Sequence, residues 1–378
     1  MATTVLSGAM VLDPDTGSID RADVLVRDGR IAAVGTDLEC RDRVDCRGSL
    51  LIPGLIDCHA HVAAPGPAPL PRSARILEAV STLRRLLARG VTTVRDAWGA
   101  DAGFSHALRE GWISGPDLLT SLRQLSPTGG LGDTWSPDAG CTDSLGDPAL
   151  PDPVFDGPDA ARAAVRRMVR AGADWIKLGA SGSLHAVHAG RDVSPTEAEL
   201  AAVVEEAGRC GRDVMAHAHT ARSVADAANA GVRSIEHGVY LDEAAVAAMR
   251  EQGCWYVPTL SPVSHLGGEE PAAAHRRSLA LAVDAGIPVA AGSDLAHRPH
   301  VDLLTELRLL SEAGLGDVGA IRSATTEAAR LLRLDHDRGR VEPGLRADLV
   351  LLEGPTPELA NVDHRIRAVW QNGQRVEV

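Results

Sequence analysis

The chain has 378 residues, of which 44% are hydrophobic, 24% charged and 3% aromatic, a composition with ample material for a large folded core. Its formal net charge of −13 argues against nucleic acid or an anionic membrane surface as a partner. The start of the chain, Met1–Pro14, lacks the features of a signal peptide, and no apolar run approaches the length of a membrane span. The six cysteines form no CxxC pair, so a cytoplasmic protein is expected.

Residues 1–52 and 339–378 predict two groups of short strands. Asp28-Gly29 in the first group and Asn372-Gly373 in the second lie between alternating runs, which is a strong signal for a two-residue hairpin. Because both ends share this character and enclose a different middle, we expect a small β-sandwich domain built from both termini. The predicted strands are Thr3–Leu12, Ala22–Arg27, Arg30–Gly35, Arg43–Leu51, Ala347–Leu352, Ile366–Gln371 and Gln374–Val378.

Residues 53–338 alternate short apolar runs with amphipathic stretches, a pattern typical of βα units around a parallel sheet. Eight such units predict an α/β fold, a (β/α)8 TIM-like barrel, whose chemistry lies at the carboxyl ends of the strands. The predicted strands are Leu55–Val62, Val91–Gly99, Asp117–Leu125, Trp175–Ala180, Val214–Thr220, Arg233–Gly238, Trp255–Leu260 and Pro288–Leu295. Predicted helices include Arg72–Arg89, Pro158–Ala171, Pro195–Cys210, Asp242–Glu251 and Asp302–Glu312.

One predicted loop, residues 126–157, is much longer than the others. It is rich in Gly, Pro and Asp and contains no basic residue. Loops of this length without structure of their own are usually lids or disordered segments. Two interpretations stay open: a solvated acidic loop, or a loop that attracts a cationic group of a substrate.

Metal-ligand residue types end several of the predicted barrel strands. His59 and His61 are one residue apart, so in a strand both side chains point to the same side, and imidazoles suit first-row metals. Two histidines alone do not make a metal site, and they are equally consistent with a chance pair. The other strand ends add Lys177, His217, His219, His237 and Asp294. Because barrel strands end at one face, the joint pattern predicts a metal centre there.

Lys177 is the single lysine of the chain, while every other basic residue is arginine. An arginine side chain stays charged and cannot act as an amine, whereas a buried lysine changes its pKa readily. The one retained lysine therefore indicates amine chemistry at this position.

These motifs resemble the amidohydrolase superfamily, and within it the binuclear metal-dependent hydrolases related to Xaa-Pro and Xaa-Arg dipeptidases, ochratoxinase and, more distantly, imidazolonepropionase. The resemblance covers nearly the whole chain. The segments that carry it are Pro53–His61, Val91–Asp96, Ile176–Gly182, His217–Thr220, Ser234–Gly238, Gly292–Asp294 and Glu342–Leu351.

The resemblance implies a metal-dependent amidohydrolase that cleaves a carbon–nitrogen bond in an amide or a dipeptide-like substrate. It implies two divalent metal ions, zinc being the expected metal and manganese, cobalt and iron the alternatives. One ion would be held by His59, His61 and Asp294, and the other by His217 and His237. Lys177, carboxylated by CO2, would bridge them, because a carbamate supplies two anionic oxygens where an ammonium would repel the metals.

In this family resemblance, a hydroxide bridging the metals is the nucleophile. Asp294 would accept its proton and pass it to the leaving group. Substrate contacts are implied less directly, for His219, Tyr240, His185 and His188. For His185 and His188 the favoured interpretation is a polar loop, whereas Tyr240 is equally consistent with a structural role. Leu131 stands where many relatives have a histidine that helps to hold a substrate carboxylate, so carboxylate recognition is in doubt.

Two other classes of protein stay open. A mononuclear deaminase or cyclic-amide hydrolase would use the same barrel, but the bridging lysine is typically absent there. A non-catalytic amidohydrolase-like scaffold would have lost ligands, whereas this chain keeps all six. The expected partner is a small-molecule substrate, and the chain is expected to form a homo-oligomer. The other seven histidines are interpreted as surface or packing residues, with His297 and His300 placed beside the pocket.

Overall fold

The computed structural model describes residues 3–64, 70–137, 140–141, 150–295 and 302–377. The strands in these ranges are β1 (Thr3–Leu12), β2 (Ile19–Arg27), β3 (Arg30–Gly35), β4 (Asp42–Asp45), β5 (Ser49–Pro53), β6 (Leu55–Ala60), β7 (Val91–Asp96), β8 (Asp117–Thr120), β9 (Gln124–Leu125), β10 (Trp135–Ser136), β11 (Gly140–Cys141), β12 (Ile176–Gly179), β13 (Val214–Thr220), β14 (Ser234–Tyr240), β15 (Trp255–Val257), β16 (Leu349–Glu353), β17 (Ile366–Gln371) and β18 (Gln374–Arg375).

The helices in the same ranges are α1 (Arg72–Ala88), α2 (Ala102–Arg109), α3 (Pro158–Arg170), α4 (Leu184–His188), α5 (Glu197–Arg209), α6 (Ala221–Asn229), α7 (Glu243–Gln252), α8 (Leu260–Leu266), α9 (Glu269–Asp284), α10 (Leu303–Leu310), α11 (Gly316–Ser323), α12 (Thr326–Leu331) and α13 (Val362–Arg365), with a π-helical turn at Ser311–Leu315. None of the helices in the described ranges is long and apolar enough to cross a membrane.

Strands from both ends of the chain lie in one eight-stranded sheet, in the order β18-β17-β16-β5-β1-β2-β3, with β4 beside β1. The two ends meet where β5 and β16 pair antiparallel, with Leu51 opposite Leu351. Asp28 and Asn372, the first residues of the two predicted hairpin turns, have φ values of 50° and 49°, as the favoured two-residue turns require. The expected joining of the termini is therefore present, while their arrangement as a sandwich stays a prediction.

The middle of the chain forms two parallel sheets, β6-β7-β8 and β9-β12-β13-β14-β15, connected by helices. The predicted strand Asp117–Leu125 is divided into β8 and β9 because Leu122 adopts a left-handed conformation with φ 66°, which interrupts an extended chain. The amide of Trp175, just before β12, donates to the carbonyl of Thr120 in β8 at 3.2 Å. Because β12 also pairs with β9, the chain around β12 contacts both β8 and β9.

The predicted eighth strand, Pro288–Leu295, is extended but irregular. It forms single bridges on two sides, from Val289 to Tyr256 of β15 and from Leu295 to Ala60 of β6. The amide of Asp294 also donates to the carbonyl of His59 at 2.7 Å. The irregularity has a local cause, because Asp294 has a φ of 50°.

Helix ends follow the chemistry of the sequence. Thr196 and Glu199 form a reciprocal capping box at the start of α5, and Asp242 and Asp302 cap α7 and α10 with their side chains. Gly253 ends α7 in the left-handed conformation. The helix boundaries lie within a few residues of their predicted positions.

Candidate active site

A cavity of about 560 Å³ lies at the carboxyl ends of the parallel strands. The six residues predicted as metal ligands all line it, together with three of the four predicted substrate contacts. These lining residues are His59, His61, Lys177, His185, His188, His217, His219, His237 and Asp294. Tyr240 lies beside the cavity, with its hydroxyl 2.6 Å from Nε2 of His188. The fold thus brings together residues that are more than 200 positions apart in the sequence.

Three side chains form a compact group. Nε2 of His61 lies 3.0 Å from Oδ1 of Asp294, and Nε2 of His59 lies 3.6 Å from the same oxygen. The ligand atoms of the three residues all lie within 4.8 Å of one another. Metal–ligand bonds of about 2.0–2.2 Å around one ion require spacings of this size. Nζ of Lys177 is next to this group, 3.5 Å from Nε2 of His59.

The other two predicted ligands lie against this group. The rings of His217 and His237 are 4.5 Å apart between centroids, and the His237 ring is 4.9 Å from that of His59. Burial holds the pKa of both side chains well below the usual range, and the nearby Lys177 acts in the same direction. Both imidazoles are therefore neutral at neutral pH, with a lone pair available to a metal. The His219 ring stacks on that of His237 at 5.1 Å.

A buried ion pair orients His59. Its Nδ1 lies 2.6 Å from Oε2 of Glu236, and because a carboxylate only accepts, we assign the donor proton to Nδ1. Arg95 donates to both oxygens of Glu236 at 2.9 and 3.1 Å, and its guanidinium lies 4.6 Å from the centre of the Trp175 ring. Burial would raise the pKa of Glu236, but Arg95 and His59 lower it to about 2. The ionised carboxylate therefore directs Nε2 of His59 into the cavity.

Uncharged oxygens orient the remaining imidazoles. Nδ1 of His61 lies 3.0 Å from the carbonyl oxygen of Trp98, and Nδ1 of His237 lies 2.6 Å from Oγ1 of Thr259. In His217 the other nitrogen is used, because Nε2 lies 3.1 Å from the carbonyl oxygen of Gly182. His61 and His237 thus present Nε2 to the cavity, and His217 presents Nδ1.

The backbone is held in unusual conformations at three of these positions. His237, Thr259 and Asp294 have φ values of 71°, 53° and 50°, a region that residues other than glycine seldom adopt. The carbonyl oxygen of His237 accepts bonds from the Tyr256 hydroxyl at 2.8 Å and from Nε2 of His275 at 2.6 Å, which stabilise this conformation. Strained backbone conformations persist only where the surrounding structure enforces them. They are found most often at functional sites.

Charges in the cavity are set by burial and by their neighbours. Lys177 is 1% exposed, and burial lowers its pKa to about 8, so the neutral amine forms far more readily than in an exposed lysine. Burial would raise the pKa of Asp294, but the hydrogen bond from His61 and the nearby His59 lower it to about 2. Asp294 is therefore ionised, and Lys177 has the reactivity that an always-charged arginine would lack.

A hydrogen-bonded chain lies at the edge of the cavity. The Tyr240 hydroxyl donates to Oε2 of Glu270 at 3.1 Å, so its single proton is used and Nε2 of His188 donates to its oxygen. Burial and the Glu270 carboxylate raise the pKa of Tyr240 to about 12. These hydrogen bonds connect helix α4, strand β14 and helix α9.

The described aspartates of the long acidic loop accept hydrogen bonds from groups of the same loop. Asp133 accepts from the amides of Gly129 and Trp135, and Asp156 accepts from the amide and the hydroxyl of Thr128. Asp138, Asp143 and Asp147 of this loop lie outside the described residues, as do His297 and His300.

Sequence reasoning missed several residues that support this site: Arg95, Glu236, Thr259 and Tyr256. Arg95 and Glu236 lie within the segments Val91–Asp96 and Ser234–Gly238, but the sequence analysis assigned neither residue a role. A charged residue next to a predicted ligand on a buried strand was a usable signal for Glu236, because buried charges require partners.

Comparisons with known proteins agree with this geometry. The sequence matches the amidohydrolase family over residues 50–376. The ochratoxinase of Aspergillus niger is 30% identical in an alignment that covers 98% of this chain and 86% of that protein. The imidazolonepropionase of Paracoccus denitrificans is 30% identical, with 93% and 92% covered. The solved structure of a prolidase complexed with N-methylphosphonate-L-proline is 34% identical, covers 100% of both chains and superposes with a TM-score of 0.87. The predicted relationship is confirmed: the chain belongs to the amidohydrolase family and is a metal-binding hydrolase of carbon–nitrogen bonds.

Proposed function

We propose that this enzyme hydrolyses an amide or dipeptide-like bond at a centre of two divalent metal ions. The observation that carries the proposal is the position of Lys177, the single lysine, buried in a cavity whose other lining includes the four imidazoles predicted as ligands and an ionised aspartate. The match to the prolidase and ochratoxinase relatives supports the reaction type.

We also propose that the two parallel sheets and residues 288–295 close into a (β/α)8 barrel, with the terminal sheet as a separate β-sandwich domain. The hydrogen bonds that residues 288–295 make to both β15 and β6 support closure. In such a barrel the cavity would lie at the catalytic face.

The residues present fit two metal ions. His59, His61 and Asp294 would hold one ion, His217 and His237 the other, and a carboxylated Lys177 would contribute one oxygen to each. The fit is chemical as well as spatial, since a lysine ammonium 3.5 Å from Nε2 of His59 would repel a cation, whereas a carbamate would attract it. Zinc suits imidazole and carboxylate ligands of this kind. When bound, the ions would lower the pKa of a water molecule and polarise the substrate carbonyl.

The chain's own groups would then move the protons. Asp294 is ionised and faces the cavity, so it can accept a proton from water. The same carboxyl group would return the proton to the leaving nitrogen, because an amine leaves much more readily when it is protonated. Glu236 keeps His59 in one tautomer throughout.

The test combines metal content with activity. The chain, purified without chelator, should contain close to two metal ions, and it should hydrolyse members of a panel of dipeptides and N-acyl amino acids. His217→Ala should lower the metal content to about one and remove the activity, whereas the control His106→Ala, outside the cavity, should change neither. Two ions without hydrolysis of any amide would contradict the proposal, as would full activity in His217→Ala.

A mononuclear cyclic-amide hydrolase or deaminase is the second candidate. It is favoured by the finding that, among the described residues, only His59, His61 and Asp294 form a compact group of three potential ligands. The similarity to imidazolonepropionase is consistent with it. A metal content of one ion, unchanged in Lys177→Ala, would favour this candidate.

A further inference from the structure

Glu306 on helix α10 is a buried acidic residue that the mechanism above does not use. It is 0% exposed, and both of its carboxyl oxygens accept backbone N–H groups at 2.8 Å, Oε1 from Leu260 and Oε2 from Ser261. Leu260 and Ser261 are the first two residues of α8, which directly follows Thr259. A side chain of one helix therefore holds the start of another helix, next to a residue that orients a predicted metal ligand.

Helix α8 begins without the cap that its sequence offers. A threonine at the N-cap position normally has an extended backbone and accepts a hydrogen bond from the first turn with its own hydroxyl. Thr259 occupies this position, but its backbone is left-handed, with φ 53° and ψ 55°, and its side chain makes no capping bond. Its Oγ1 lies instead 2.6 Å from Nδ1 of His237. The threonine is thus committed to the imidazole, and the first turn of α8 needs another acceptor.

Glu306 satisfies that first turn from outside the helix. The first N–H groups of a helix have no partner within it. In α8, Leu260 and Ser261 donate to Glu306, and the third residue, Pro262, has no N–H. These bonds fix the two residues that follow Thr259, and so help to hold Thr259 in a conformation that a β-branched residue seldom adopts.

We propose that Glu306 is a positioning residue that acts through Thr259 on His237. Because Glu306 caps α8, the Thr259 hydroxyl is left to accept the proton of Nδ1 of His237, which then presents Nε2 to the cavity. This inference rests on the proposed function, since His237 would hold the second of the two proposed ions.

Metal titration of four variants tests the proposal: Glu306→Gln, Thr259→Val, the double variant that combines them, and the control Glu312→Gln, at an exposed position just after α10. Glutamine fills the same space as glutamate, but its NH2 group cannot accept the N–H that faces it, so the first turn of α8 loses one acceptor. We expect Glu306→Gln to weaken binding of the second ion about tenfold, as for a group behind a metal ligand, and to leave the first ion unchanged. Glu312→Gln should change neither affinity.

The double variant shows whether Glu306 acts through Thr259. Once valine has removed the hydroxyl, loss of the cap has nothing further to misplace, so the double variant should show the same loss as either single variant. Two independent contributions would instead multiply to about a hundredfold loss. Activity gives a second readout, because amide hydrolysis by Glu306→Gln should be reduced at limiting metal and return to the wild-type rate at saturating metal. A loss of folded protein would not be reversed in this way.

The outcomes are distinguishable. If the losses multiply in the double variant, or if Glu306→Gln binds the second ion like the wild type, the proposal is wrong while the two-ion centre stands. If Glu306→Gln does not fold, Glu306→Asp replaces it under the same criteria, because aspartate keeps both acceptors but withdraws them from the amides by one methylene group. If the wild type binds only one ion, the proposed two-ion centre itself fails, and this inference with it.

Discussion

The two sides of the cavity are supported by different chemistry. On the side of His59, the imidazole rests on the ionised Glu236, which is paired with the fully buried Arg95. On the side of His237, the imidazole rests on the hydroxyl of Thr259. Charge thus supports one side of the proposed metal centre, and neutral oxygens support the other.

This difference has a consequence for metal affinity. A carboxylate behind an imidazole increases the basicity of the nitrogen that faces the metal, more than a hydroxyl or a carbonyl does. The proposed ion at His59, His61 and Asp294 should therefore bind more tightly than the ion at His217 and His237. The second ion would depend on the carboxylated Lys177 for most of its anionic charge.

The largest effect is expected for Lys177→Arg. An arginine keeps its positive charge and cannot form a carbamate, so the second ion should be lost and activity should fall by about 10³-fold or more. Metal content and amide hydrolysis measure this, with the exposed Arg222→Lys as the control. Turnover near the wild-type rate in Lys177→Arg would refute the bridging role.

Glu236→Gln should weaken the charged side. The amide can still accept the proton of His59, but Arg95 would be left as a buried charge without its partner, and breaking such a pair costs about 3–5 kcal/mol. Affinity for the tighter ion should fall about 10- to 100-fold. Thermal unfolding and metal titration measure the two effects.

The matched control is Glu205→Gln, because Glu205 pairs with Arg162 on the surface, where such a pair contributes about 0–1 kcal/mol. Equal destabilisation by the two variants would show that the Arg95–Glu236 pair is not special.

The residues predicted as metal ligands lie together in one cavity, and their prediction depended on local pattern. Alternation placed His59 and His61 on one side of a strand, and Lys177 stood out by composition alone. Supporting contacts were not predictable in this way, since Glu236 and His59 are 177 residues apart and meet only in the folded sheet.

The fold shows a similar division. Turn chemistry predicted the two hairpins and amphipathic pattern predicted the helices, since each depends on neighbouring residues. The break in the third predicted strand was missed, because Leu122 gives no local sign of the left-handed conformation it adopts. The irregular segment at residues 288–295 was missed for the same reason at Asp294.

Glu306 is a buried carboxylic acid close to Thr259, on the side of the cavity where neutral oxygens orient the imidazoles. Both oxygens of Glu306 accept backbone amides, from Leu260 and Ser261, at 2.8 Å, directly after Thr259. Burial raises its pKa to about 8. Between its ordinary value of 4.5 and about 8, the folded protein keeps a proton that the unfolded chain has released, so the free energy of unfolding should fall as the pH rises.

Glu306→Gln should remove this contribution. In the metal-free protein, the stability of the variant relative to the wild type should increase by about 2–3 kcal/mol between pH 6 and pH 9, since each pKa unit corresponds to about 1.4 kcal/mol. Denaturant unfolding at both pH values measures it. Comparing the variant with the wild type cancels the titration of the buried histidines. A difference that does not depend on pH would mean that Glu306 is ionised throughout.

The smallest effect is expected for Thr259→Val. Valine keeps the branched shape but removes the oxygen that accepts the proton of Nδ1 of His237, so the imidazole loses its fixed orientation. Affinity for the second ion should fall about tenfold, at the low end of effects for groups behind a metal ligand. Affinity for the first ion should stay unchanged, because Glu236 is untouched.

Thr259→Ser provides the internal control, since serine restores the hydroxyl without the methyl group. Metal titration of both variants should show near-normal second-site affinity for serine and the tenfold loss for valine. If valine weakens both ions equally, the two sides are not independent. That result would mean that the left-handed backbone at Thr259, rather than its hydroxyl, positions His237.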